Sequence, residues 1–138
     1  MKQDPAAAVT HYFSVVADLA STEDDLRKVL HPDVVLVEHP NAIRPQGAET
    51  DLEACVSGFL AGKSLLSHQA IDVHDLVVDG DQVAVRSTWR GTVANDAGPL
   101  KAGTTLTAHM AGFLTVRDGL IARHETYDCY EPFDTSRP

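Results

Sequence analysis

The stretch that decides the fold is VHDLVVDGDQVAVRSTWRGT, Val73 to Thr92. In its second half Val83, Val85, Ser87 and Trp89 alternate with Ala84, Arg86, Thr88 and Arg90. A period of two with one apolar row is the mark of a strand that buries one face. Asp79-Gly80 separates this run from a similar one before it, which predicts a tight hairpin. A lone hairpin is marginal in water, so more strands must flank it. The same period continues on both sides, predicting strands over 67–79, 82–93, 104–117 and 120–130. Asp118-Gly119 supplies the last turn, and the polar loop ANDAGPLKAG at 94–103 joins the middle pair.

Upstream of Ser67 the period is helical. Asp4-Pro5 reads as a cap followed by proline at the first helical position. Val9, Tyr12/Phe13, Val16 and Leu19/Ala20 then form one apolar stripe. Ser21 or Thr22 restarts a short acidic helix that buries Leu26, Val29 and Leu30 and ends before His31-Pro32. A valine-rich strand, Val34 to His39, follows. Thr50-x-x-Glu53 reads as a capping box for a third helix, with Leu52, Cys55/Val56 and Phe59/Leu60 inward and a stop at Gly62.

Helices first and a meander of long strands afterwards predict an α+β fold: one domain over 1–138, with a curved antiparallel sheet wrapped around the N-terminal helices. Such a cone leaves an internal pocket. Acidic residues outnumber basic ones 20 to 11, for a net charge of −9. With no basic cluster to offset it, this charge argues against nucleic acid and anionic membranes as partners. No run approaches the about 20 apolar residues that a membrane span needs. Cys55 and Cys129 have no metal-type spacing and read as free thiols, which points to a cytoplasmic protein. No HExxH, CxxC, GxSxG or phosphate-loop pattern occurs, so neither a metal nor a cofactor is expected.

The order of elements, together with VEHP (Val37–Pro40), VHDLVVDGDQVAVRSTWRGT and FLTVRDGLIARHETYD (Phe113–Asp128), resembles the nuclear transport factor two-like superfamily. Within it the chain is similar to SnoaL-like polyketide cyclases and ketosteroid isomerases. That resemblance implies a cone-shaped fold and a small, cofactor-independent isomerase, cyclase or dehydratase. Its substrate would be a hydrophobic carbonyl compound of polyketide, terpenoid or steroid type. A homodimer is also implied, with Leu106, Met110, Leu114 and Val116 as a candidate outer row. The alternative is a non-catalytic binding or interaction module of the same shape.

Ketosteroid isomerases carry V-E-D-P where this chain has Val37-Glu38-His39-Pro40, so the resemblance puts His39 at the position of the base. A neutral imidazole accepts protons near pH 7. His39 shares strand parity with Val35 and Val37; the plain alternative is a strand-end histidine bonded to nearby backbone. His109 is the one group between Thr104 and Val116 with a side-chain N–H to offer a developing oxyanion, provided that the Thr105/Thr107/His109 face is the inward one. On the last strand, Asp128 is the expected acid/base group. Its spacing from Ile121 is one residue short, so Glu125 competes unless a β-bulge intervenes. Tyr12, Phe59, Trp89, Phe113 and Tyr127 are expected to contact substrate.

Overall fold

In a computed structural model that describes residues 4–133, three helices pack against one face of a six-stranded sheet. The elements are α1 (Pro5–Ala17), α2 (Glu23–Arg27), β1 (Leu30–Glu38), β2 (Ala48–Thr50), α3 (Leu52–Leu65), β3 (Leu66–Asp79), β4 (Gln82–Val93), β5 (Thr105–Arg117) and β6 (Leu120–Tyr130). Strand order is β2-β1-β6-β5-β4-β3. The fold is α+β, with a curved sheet that does not close. All neighbours pair antiparallel except β1 and β6, which run parallel.

Local chemistry sets the ends of the helices. The Asp4 carboxylate accepts from the Ala6 amide and Pro5 opens α1. Thr22 and Asp25 form a reciprocal capping box on α2. At α3 the cap is Asp51, which accepts from the Ala54 amide, and not Thr50. Thr50 belongs to β2, and Glu53 instead pairs with Arg27 at 2.9 Å. Gly62 does not end α3, which runs on to Leu65 directly into β3. At the last hairpin both central residues, Asp118 and Gly119, take positive φ (55° and 74°), as a two-residue turn with the twist of the strands requires.

One row of each strand faces the helices. Val83 and Val85 on β4, Leu106, Leu114 and Val116 on β5, and Ile121 on β6 are all buried. They pack with Val9, Phe13, Leu26 and Val34 into the core, apart from Leu106, which lies near the far end of β5. The row expected to face outward, Leu106, Met110, Leu114 and Val116, is therefore the inner row of β5. The outer row is Thr105, Thr107, His109, Ala111 and Phe113. Of the two rows on β5, the more apolar one turns inward because its burial releases more water from apolar surface.

Register shifts interrupt β1, β3 and the β5–β6 pair, and they set which residues point in. At β3 a register shift between Val73 and Asp75 leaves His74 as an extra residue. At β6, Ile121 pairs with Val116 and Arg123 with Thr115, so Ala122 is extra. This bulge changes the parity of the strand: Ile121 points inward, and beyond it so do His124, Thr126 and Asp128.

If Leu114 is core and Phe113 is outer, Leu114→Ala costs about 2–5 kcal/mol. Phe113→Ala, at a side chain about half exposed, costs clearly less. Urea unfolding of the two variants checks the assignment, and equal or reversed costs contradict it.

Candidate active site

Between the inner face of the sheet and α1 lies a cavity of about 200 Å³. Phe13 and Val16 from α1, Leu36 from β1, Ile71 from β3, Trp89 from β4 and Met110 from β5 make its apolar walls. Trp89 lies flat along its own strand because residue 91 is glycine; a Cβ there would stand 2.3 Å from the indole Cζ2. The indole N–H donates to Gln69 Oε1 (2.8 Å), and the Gln69 amide donates to the Val16 carbonyl (2.8 Å), which ties the wall of the cavity to the end of α1.

Polar groups enter this apolar space from β6 and α1. The Tyr12 hydroxyl lies 2.9 Å from His124 Nδ1. Tyr12 is buried and His124 is half-buried; loss of hydration raises the Tyr12 phenol far above its usual value and drops the His124 imidazole to about 4. At neutral pH the two groups are an uncharged pair. Two residues further along, the Thr126 hydroxyl donates to Asp128 Oδ1 at 2.6 Å. Burial raises the Asp128 carboxyl above its ordinary value; the Thr126 hydrogen bond opposes this, and the charge of Glu38 adds to it. Tyr130, beside it, is pushed up to about 12, chiefly by burial.

A second chamber of about 250 Å³ shares Tyr12, Val16 and Leu36 as walls and lies under α3. Phe59, Cys55 and Thr50 line it, and Glu38 and Arg44 stand on its edge, 3.8 Å apart. Asn41 donates to Glu38 Oε2 at 2.8 Å. Burial raises the Cys55 thiol, so this cysteine is not an activated nucleophile.

The expected site residues separate into two groups. Asp128, Tyr12 and Trp89 line the first chamber and Phe59 lines the second. His39, His109, Phe113 and Tyr127 do not reach either one. Leu36 and Glu38 are the inward residues of β1, so Val35, Val37 and His39 fall on the outer face. There His39 Nε2 meets Glu125 Oε2 at 2.7 Å, and its ring stacks on Tyr127 with centroids 4.2 Å apart. The hydrogen bond from His39 holds the Glu125 carboxyl below its usual range. His109 pairs with Glu131 at 2.8 Å, exposed on the same outer face, and Phe113 packs edge-on to Tyr127. The expectation that His39 opens onto the cavity is thus corrected, as is the inward placement of His109. The apolar residues on both faces of β1 hid its parity, and the outer row of β5 carries His109.

His124 was missed, although it shares the face of Asp128 four residues before it. That spacing on one strand was the available signal. Glu38 and Arg44 could not have been found without the fold of the 39–47 loop. Among the described residues no group of three or more His, Cys, Asp or Glu is arranged to hold a metal ion, and no helix is long and apolar enough to cross a membrane.

The family model described as SnoaL-like domain matches residues 9–124. No curated protein matches the chain. Among solved structures the chain is similar to IdmH from Streptomyces antibioticus, a proposed polyketide cyclase. Identity is 24%, with 91% of this chain and 92% of that one covered at a TM-score of 0.76. It is also similar to a proposed SnoaL-like polyketide cyclase from Jannaschia sp. CCS1 (18% identity, 92% and 91% covered, TM-score 0.72). A protein of ketosteroid isomerase-like fold from Catenulispora acidiphila, in complex with trimethylamine, matches at 20% identity, with 87% and 83% covered and a TM-score of 0.69. At these identities the likeness establishes the fold.

Burial of a neutral His124 has a consequence for stability. Its folded value lies below its ordinary 6.5, so as pH falls the unfolded chain takes up the proton first. The stability it contributes is complete above about pH 6.5 and is lost as pH falls toward about 4. Urea unfolding across this range should show the wild type losing stability more steeply than His124→Gln. Parallel losses contradict the buried neutral imidazole.

Proposed function

Because the chain belongs to the SnoaL-like domain family, we propose that it is a small enzyme of cyclase or isomerase type, in which Asp128 moves a proton beside the carbonyl of an apolar compound. The observation that carries this reading is a carboxyl group set inside an apolar chamber, with its pKa raised by burial and one oxygen held by Thr126. A raised pKa makes the ionised carboxylate a stronger base and keeps the acid form available nearer neutrality.

The ionised Asp128 takes a proton from the carbon next to the carbonyl. The C–H electron pair becomes a carbon–carbon double bond, and the carbonyl π pair moves onto oxygen. Asp128 then returns its proton to a different carbon, giving an isomer. Alternatively the enolate carbon attacks a second carbonyl of the same molecule, and the new alkoxide takes the proton, giving a ring. Neither route consumes a cofactor. The apolar walls of the chamber favour a neutral, hydrophobic substrate, of the polyketide or terpenoid kind.

The competing reading is a binding module of the same fold. A homodimer remains part of the proposal, but it would use the outer face, where Phe113 and Tyr127 are exposed, because the Leu106–Val116 row faces inward.

Exchange of the α-hydrogens of 2-tetralone in heavy water, followed by proton NMR, tests the chemistry without knowledge of the natural substrate. Asp128→Asn should lower the protein-dependent rate by about 10²–10⁴-fold, with the fold intact by circular dichroism. His39→Gln should leave the rate unchanged. A rate that survives Asp128→Asn, or that falls with His39→Gln, overturns the assignment. No acceleration by the wild type would favour the binding module.

A further inference from the structure

The proton-transfer reading leaves one titratable group unused. His124 is half-buried, and only its Nδ1 has a partner, the Tyr12 hydroxyl. No described group hydrogen-bonds Nε2. Among the described residues there is also no sealed side-chain nitrogen or oxygen without a partner, so Nε2 opens onto the chamber that His124 lines. The space in front of it exists because residue 112, on the neighbouring strand, is glycine. A Cβ at Gly112 would stand 3.3 Å from Nε2 and 3.2 Å from Val85 Cγ1.

The proton on the ring can be placed. Burial keeps the Tyr12 phenol protonated, and His124 Nδ1 is its only partner among the described residues. Donation from the hydroxyl to Nδ1 leaves only Nε2–H unpaired, whereas the reverse direction leaves both the phenol hydrogen and the Nε2 lone pair unpaired. An accepting Nδ1 on a neutral imidazole puts the ring hydrogen on Nε2. The ring plane is held from the side by Phe13, with centroids 5.8 Å apart, and edge-on by Tyr12 at 5.5 Å. A donor fixed in advance in an apolar site stabilises charge more than a mobile one, since nothing reorganises as the charge appears.

We propose that His124 is a second catalytic residue: its Nε2–H, aimed across Gly112 and fixed by Tyr12, donates a hydrogen bond to the oxygen of an apolar ketone as that oxygen gains enolate charge. No proton leaves the imidazole in this step. The carbon-bound hydrogen passes to Asp128, and the negative charge that develops on oxygen is met by the His124 donor. The inference rests on the proton-transfer reading for the other half of the reaction and adds the ligand class: a compact ring ketone, or the phenol that resembles its enolate, with its oxygen as the single polar group at that end. Gly112 becomes the residue that sets how closely the oxygen approaches.

Nitrogen-15 NMR of histidine-labelled protein and binding of 2-naphthol test this together. At pH 7 His124 should show a protonated Nε2 and an unprotonated Nδ1, and Tyr12→Phe should turn this into a mixture of tautomers. His124→Leu should weaken 2-naphthol binding at least about tenfold, and His124→Gln, which keeps an N–H donor, should recover most of that affinity. Gly112→Ala should weaken binding while leaving the His124 tautomer unchanged. A proton on Nδ1, a doubly protonated ring at pH 7, or equal affinities for the wild type and His124→Leu overturns the proposal. Because these readouts need no turnover, they separate from the Asp128 test. Full α-hydrogen exchange in Asp128→Asn with His124-dependent naphthol binding would remove the acid/base assignment and leave the donor standing.

Discussion

The site depends on the extra residue at Ala122. Strand side chains alternate, so a strand that starts with Ile121 in the core would send Arg123, Glu125 and Tyr127 inward and His124 and Asp128 outward. The register shift between Thr115 and Val116 inserts Ala122 without a partner and reverses that order. Beyond it, β6 is held on both sides, by β5 through Leu114↔His124 and by β1 through Glu38↔Thr126. With two neighbours fixing the register, a slip that would return Arg123 to the chamber breaks both ladders at once. The bulge thus gives the inner row of a central strand an imidazole and a carboxyl.

The two faces of the sheet treat similar residues in opposite ways. On the outer face His39 and Glu125 form a hydrogen-bonded pair that is about one-third exposed, with water close by to screen it. Such pairs are common and add little. On the inner face His124 and Asp128 have no partner of opposite charge, and burial moves both toward their uncharged forms. A neutral donor and a carboxyl with a raised pKa suit a reaction in which negative charge passes from the carboxylate to a transient oxyanion and back. Glu38 stands nearby with Asn41 and Arg44 at its carboxylate, so its charge adds to the field at Asp128 from outside the apolar walls.

Much of the fold was legible in the residues. The period of two from Ser67 on, the Asp-Gly turns and the apolar stripe of α1 place eight of the nine elements near their observed positions, because each is a local pattern. The three-residue β2 and the parallel pairing of β1 with β6 are set by tertiary contacts and left no local trace, whereas the Asp51 cap is local and stands one residue beyond the Thr50 signal. The site was harder to read for one reason, which is parity. Val34-Val35-Leu36-Val37 is apolar on both faces, so nothing in it says which valines point inward, and His39 follows whichever row is chosen. On β6 the spacing of Ile121 and Asp128 required a bulge before Asp128 could face the cavity, and that bulge is present. Once parity is fixed, Tyr12, Trp89 and Asp128 fall on one chamber, and His124 joins them.

The most direct test is a crystal structure of the protein with bound 2-tetralone. The ring system should lie between Trp89 and Met110, with the carbonyl oxygen within hydrogen-bond reach of His124 Nε2 and an adjacent carbon facing Asp128. A ketone seated on the outer face against His39 and Tyr127, with the inner chamber left unoccupied, would contradict the account.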